Sequence, residues 1–196
     1  MNPWALLLAA SGYLLGSVSF AVLVVRLKTG KDIRAVGSGN AGATNVLRAH
    51  GKALGLLVAF LDLAKGTAAV VLVRLVTSDP RAAALAALAA ILGHVFPIFY
   101  GFRGGKGVAT AIGAFLVLAP AATLVCAGVF VAVVAITRYV SLGSMIGMTL
   151  LPAVAGLFHA PLPVIGAAAG AAVLIVFKHL ENLKRLARGE ERRIGR

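Results

Sequence analysis

The chain has 196 residues, of which 60% are apolar and only 13% charged, and its mean hydropathy is +0.98. A water-soluble domain carries about twice that charge fraction, so a soluble globular protein is excluded. The formal charge of +13 comes without aromatics interleaved among the basic residues, which argues against a nucleic-acid partner and for anionic lipid headgroups and an anionic substrate.

The first apolar run, Trp4 to Val25, has no positive residue before it, and Arg26, Lys28 and Lys31 follow it. That order is the reverse of a secretory signal and predicts a membrane span over 4–25. The next loop reads Gly37-Ser38-Gly39-Asn40-Ala41-Gly42-Ala43-Thr44-Asn45-Val46-Leu47-Arg48. Glycines on both sides of Ser38 permit positive φ and let amide N–H groups converge on an anion. Ser38 or Asn40 is suited to cap a short helix whose positive end favours a phosphate, with Thr44 and Arg48 at i, i+4 on one face. The plain alternative is a flexible turn.

A second span is predicted over 53–76. Asp62 and Lys65 stand at i, i+3 inside it. An unpaired charge in hydrocarbon is costly, so mutual pairing is the first reading and a substrate role the second. A third span over 82–100 contains His94, which needs a polar partner and serves either helix-to-helix hydrogen bonding or catalysis. It runs into Phe102-Arg103-Gly104-Gly105-Lys106-Gly107. Three glycines around one lysine suit a phosphate held by amides and an ammonium at the start of the next helix. The alternative is a basic turn reaching headgroups. The G-x-x-x-x-G-K-[ST] spacing fails here, which excludes a Walker A loop.

The stretch from Val108 to Ile136 is apolar, and Pro120 near its middle predicts a tight hairpin between short spans over 107–119 and 121–137. Spans over 141–158 and 162–178 complete a set of seven, with Ser141 and Ser144 entering the sixth beside Arg138. The last segment carries His179, Glu181, Asn182, Arg185, Glu190 and Glu191. His179 and Asn182 share a helix face and are suited to orient a proton and to donate to an oxyanion. Glu181 is placed to pair with Lys178 or Arg185. A solvated basic terminal helix is the alternative.

Seven spans put 26–52, 101–106, 138–140 and 178–196 on one side. These segments hold sixteen of the 19 lysines and arginines, and Arg81 alone falls on the other side. The bias makes the shared side cytoplasmic and sets the amino terminus outside. The expected fold is all-α: a polytopic integral membrane protein, one domain over 1–196, a compact bundle of about seven transmembrane helices with a cytoplasmic carboxyl terminus.

The chemistry is narrowed by what the chain lacks. Cys126 is the one cysteine and lies in an apolar run, so neither a disulfide nor a cysteine metal site is expected. No His/Cys/Asp/Glu cluster has metal-ligand spacing, and no cofactor is implied. There is no G-x-S-x-G elbow, and no histidine is followed by aspartate at the fifth position. A basic site with few proton-transfer groups suits a substrate that arrives activated, so that positioning and charge stabilisation supply the rate.

Three segments, Gly37–Arg48, Gly93–Gly107 and His179–Glu191, resemble the signature motifs of the bacterial acyl-phosphate:glycerol-3-phosphate acyltransferases, the PlsY family. The likeness extends over nearly the whole chain in length, motif order and span layout. It implies transfer of a fatty acyl group from acyl phosphate to the 1-hydroxyl of glycerol 3-phosphate, giving lysophosphatidic acid. It also implies a site at the cytoplasmic face of the inner membrane, with a soluble or peripheral acyl-phosphate-forming enzyme upstream. On that reading Ser38, Arg48 and Lys106, with the glycine amides, hold the two phosphates. His179 and Asn182 orient the acyl carbonyl and the attacking hydroxyl. Gly37, Gly39, Asn40, Thr44, Asn45, Arg103, Gly104, Gly105, Gly107 and Ser141 complete the expected binding set, while Asp62, Lys65, His94 and Glu181 are left between structural and functional roles. A transporter of a phosphorylated metabolite shares the Asp62/Lys65 pair and the basic mouth. It needs a matching polar set at the other face, which the sequence lacks.

Overall fold

A computed structural model describes residues 3–195. Among them the chain is all-helical: α1 (Pro3–Gly16), α2 (Phe20–Thr29), α3 (Ala43–His50), α4 (Lys52–Arg74), α5 (Pro80–Val95), α6 (Val108–Leu118), α7 (Pro120–Thr137), α8 (Val140–Leu157), α9 (Leu162–Lys178) and α10 (Leu180–Ala187). Five stretches are long and apolar enough to cross a bilayer: Leu6–Thr29, Lys52–Arg74, Pro80–Tyr100, Pro120–Thr137 and Val140–Leu157. A sixth results if α9 and α10, bent by 56° at His179, count as one span. Large apolar side chains such as Leu27, Leu75, Ile136, Leu157 and Leu162 stand on the outside of the bundle, as a hydrocarbon solvent requires.

Two of the seven expected spans depart from simple helices. The first is broken at Ser17–Ser19 into α1 and α2. A break inside hydrocarbon frees backbone groups that need partners, and here Lys65 of α4 donates to the Val18 carbonyl at 2.7 Å. The hydroxyl of Ser17 returns to the Tyr13 carbonyl at 2.8 Å. The fourth span, α6, has only 11 residues. At a rise of 1.5 Å per residue that is about 16 Å, roughly half of a bilayer core. Pro120 does start a new helix at its first position. Helix α6 folds back on α7, so that Val108 and Ile112 face Phe130 and Cys126.

Small residues allow the helices to approach closely, as in membrane bundles. A Cβ on Gly12 would lie 3.1 Å from the Ala86 carbonyl oxygen, and Gly16 and Gly93 press in the same way on Ala90 and Tyr13. Successive contacts ascend both helices together, so α1 and α5 run in the same direction. Helices α4 and α6 cross at Gly66 and Gly113, each lying against the other helix's backbone, and Thr67 donates to the Gly113 carbonyl at 2.9 Å. The result fixes the start of α6, and with it Lys106, against the middle of α4.

Candidate active site

The first motif is organised by Asn45, which is buried. Its Nδ2 donates to the carbonyls of Val36 at 2.9 Å, Asn40 at 3.0 Å and Ile33 at 3.3 Å. Its Oδ1 accepts from the Ser38 N–H at 3.0 Å. Gly37 has φ +65° and a Cβ there would run into that same Oδ1, so both conformation and space require glycine. Asn45, expected to meet phosphate, lines the cavity, and its amide is also engaged inside the loop and shapes it. Asn45→Ala leaves those carbonyls without their side-chain donor, at a cost of about 1–3 kcal/mol. Thermal unfolding in detergent micelles should show a lower midpoint with reduced turnover, and Asn45→Asp, which donates nothing, should not rescue it. A wild-type midpoint in both variants would refute this role.

The loop delivers the start of α3 to a cavity of about 920 Å³. The Asn45 and Val46 amides return to the Gly42 carbonyl at 3.0 and 3.2 Å, so the helix begins at the cavity edge, where Gly42, Ala43 and Thr44 line the wall. Gly37, Ser38, Asn40 and Arg48 stand on the same wall. Arg48 gives one N–H to the Arg192 carbonyl at 2.9 Å. A helix start beside a guanidinium is a site for an anion.

The second motif divides. Lys106 and Gly107 line the cavity, and Gly107 takes φ +84° as the residue before α6. Gly39, Arg103, Gly104 and Gly105, expected at the phosphate, are not on the wall. The Gly39 N–H is bonded to the Val36 carbonyl at 3.1 Å and that of Gly105 to the His94 carbonyl at 3.1 Å. A Cβ on Gly105 would strike the His94 ring and one on Gly104 the His94 carbonyl. These two glycines serve close packing of the loop on the end of α5. Arg103 is exposed.

The third motif meets the second inside the cavity. Lys106 donates from Nζ to Asn182 Oδ1. Asn182 Nδ2 donates to Glu191 Oε1 at 2.7 Å, and Ser141 Oγ donates to the same oxygen at 2.8 Å. Arg185 Nε donates to Glu191 Oε2 at 2.8 Å. Glu191 is thus the hub of the site, a role its position eight residues past α10's first turn did not announce. The segment bearing it folds back through the Ile194 N–H, bonded to the Arg138 carbonyl at 2.9 Å. Three bonds donated to its carboxylate hold Glu191 below the usual carboxyl range, although burial works against them. Burial pushes Lys106 down to about 8, opposed by Glu191 and aided by Arg185, Arg48 and Lys178.

His179 is buried and its Nδ1 lies 2.7 Å from the Ile175 carbonyl. A carbonyl only accepts, so Nδ1 carries the proton and Nε2 keeps its lone pair. Burial, with the Lys106 charge nearby, pushes His179 down to about 4, so it is neutral at physiological pH. Asp62 and His94 line the deep end of the cavity. Lys65 lies off the wall, 2.9 Å from Asp62, and His94 Nδ1 is 3.1 Å from the Thr110 hydroxyl. Glu181 pairs with Lys184 at 2.8 Å, not with Lys178 or Arg185, and both partners are exposed. Of the cavity serines, Ser141 donates to Glu191 and Ser144 to the Val140 carbonyl.

Leu56, Phe60, Leu63, Ile112 and Phe130 line the same cavity as apolar side chains, and Leu56 and Phe60 are exposed. The cavity therefore suits an amphiphile with a phosphate at one end.

A family model described as glycerol-3-phosphate acyltransferase matches residues 6–189. The chain is 48% identical over 196 residues to the glycerol-3-phosphate acyltransferase of Anaeromyxobacter sp. (strain Fw109-5), covering 96% of each. It is 46% identical over 190 residues to that of Geobacter sulfurreducens, again over 96% of each. Among solved structures it is similar to PlsY, an integral membrane glycerol 3-phosphate acyltransferase, in its glycerol 3-phosphate form. That match has a TM-score of 0.94 and 40% identity over 98% of this chain and 96% of the other. The lysophosphatidic acid form gives 0.90 and 38%. The chain belongs to the glycerol-3-phosphate acyltransferase family.

Proposed function

We propose that the protein transfers a fatty acyl group from acyl phosphate to the 1-hydroxyl of glycerol 3-phosphate, releasing lysophosphatidic acid and phosphate. The observation that carries this reading is one cavity lined both by Arg48 and Lys106 and by the apolar side chains Leu56, Phe60, Leu63, Ile112 and Phe130. An acyl phosphate is a mixed anhydride with a good leaving group, so direct attack needs no acyl-enzyme. The glycerol oxygen forms the new bond to the acyl carbon, the acyl–phosphate C–O bond breaks, and its electron pair leaves on the phosphate.

Arg48, Lys106, Ser38 and the start of α3 hold the two phosphates. His179 Nε2 accepts the hydrogen bond of the attacking hydroxyl and orients it. With His179 at about 4, the phosphate that departs from a dianionic acyl phosphate as a trianion is by far the stronger base, and it takes the hydroxyl proton and leaves as hydrogen phosphate. Asn182 has its oxygen on Lys106 and its amide on Glu191, so it sets the ammonium in place instead of donating to the acyl carbonyl. The excess of lysine and arginine in these segments supports a site at the cytoplasmic face of the inner membrane and an amino terminus outside. A soluble or peripheral enzyme forming acyl phosphate would then supply the donor.

The test is purified protein in micelles, given acyl phosphate and glycerol 3-phosphate. Lysophosphatidic acid and phosphate should appear in equal amounts, with no requirement for acyl-CoA or acyl carrier protein. Turnover with those donors alone would overturn the donor assignment. Uptake of labelled glycerol 3-phosphate into vesicles without product would replace catalysis by transport.

A further inference from the structure

The first two motifs meet at a residue that the reaction above leaves unused. His94 lies in the last turn of α5 and is buried. Its carbonyl accepts the Gly105 N–H at 3.1 Å. A Cβ on Gly105 would run into both His94 Nε2 and the Ala41 carbonyl oxygen, so the second motif's loop is packed against the ring and against the first motif's loop. The other ring nitrogen, Nδ1, lies 3.1 Å from the hydroxyl of Thr110, which is also buried, and 3.5 Å from Asp62 Oδ1. Gly107 rests on the same helix: a Cβ there would come within 3.1 Å of Ile91 and 3.2 Å of Val95. Thr110 in turn packs its carbonyl on Gly66 of α4. The backbone around Lys106 is therefore held by α5 at Gly105 and Gly107, and again about one turn later at Thr110.

We propose that His94 is a positioning residue for acyl transfer: it fixes the backbone around Lys106 so that the ammonium meets phosphate in register with Ser38 and Arg48. Ala41 lies between those two residues in the first motif, so the contact at Gly105 sets one loop against the other. Thr110 and Asp62, both at Nδ1, hold the orientation of the imidazole. The ring needs no contact with substrate for this role. A displacement of about 1 Å at a group that meets the reacting phosphate costs up to ~100-fold in rate. His94 also lines the cavity, which makes direct contact with substrate the rival account. This inference rests on the phosphate-binding reading of Lys106 above.

The experiment is a double-mutant cycle on kcat/KM for acyl transfer, with His94→Ala and Thr110→Val each made alone and together with Lys106→Ala. In the wild-type background each should lower kcat/KM by about tenfold or more, and once Lys106 is alanine each should cost less than about threefold, because the group they position is gone. Thr110→Ser keeps the hydroxyl and should stay within about threefold of the wild type. If His94→Ala does not fold, the nearly isosteric Thr110→Val decides. Should Lys106→Ala turn over too slowly to read, glycerol 3-phosphate affinity measured by calorimetry on the same proteins decides by the same rule. Equal losses in both backgrounds, a double variant that falls below detection where Lys106→Ala does not, or a Thr110→Ser as slow as Thr110→Val overturn the positioning role and leave the reaction standing. A wild type that makes no lysophosphatidic acid overturns the reaction itself.

Discussion

Lys106→Ala lowers kcat/KM for acyl transfer by about 10- to 150-fold, the equivalent of the ~1.5–3 kcal/mol of one charge-assisted contact. Half-buried at the junction of two motifs, its ammonium faces the cavity while donating to Asn182. Burial has already brought it down to about 8, so the free protein loses this charge as pH rises through that value. The pH profile of kcat/KM, which reports the free enzyme's groups, should therefore fall on its alkaline side near pH 8. Lys106→Arg keeps the charge at all accessible pH and should flatten that limb, even though the fork geometry lowers the absolute rate. An alanine variant within threefold of wild type, or an unchanged alkaline limb in Lys106→Arg, would remove Lys106 from phosphate binding.

Glu191→Ala destabilises the protein by about 2–4 kcal/mol and reduces turnover at least tenfold, because Ser141, Asn182 and Arg185 lose a common buried acceptor. The damage reaches Lys106 through Asn182, and Arg48 through the tail that accepts its N–H. The acid dependence carries the same information. Glu191 is held below its ordinary range in the folded protein, so its contribution is fully present above the unfolded carboxyl value of about 4.3 and is lost as pH falls through the lower folded value. Thermal midpoints between pH 3 and 7 should drop toward acid in the wild type. Glu191→Gln should show a smaller drop over that range. Equal acid sensitivity in both proteins would exclude the carboxylate as the hub.

The consequences of Lys106 and Glu191 also mark how far the sequence is readable. Hydropathy alone yields the apolar helices, because a bilayer-spanning backbone has few alternatives to helix. Pro120 is readable as a helix start, and the Gly37–Arg48 pattern as a loop feeding a short helix, because each rests on local backbone chemistry. Asp62 and Lys65 are readable as a pair, since i, i+3 spacing places them together. The Ser17–Ser19 break is not readable, because its freed Val18 carbonyl is satisfied by a lysine 47 positions away. Gly104 and Gly105 look like a phosphate cradle in the sequence. Only packing against His94 shows that they make room for a neighbouring helix.

What the sequence determined by itself is the solvent, the helical class and the clustering of cations and glycine motifs toward one end of the bundle. Those follow from composition and from periodicities within about a dozen residues. The tertiary structure decided which of the collected groups face the cavity and which are engaged elsewhere. Asn45 is bound to its own loop, Asn182 stands between Lys106 and Glu191, and Glu191 ties α8 to α10. These assignments depend on contacts between residues 7 to 76 positions apart. The physical reason is that a buried polar group takes whichever partner the fold brings within reach, and sequence spacing carries no record of that choice.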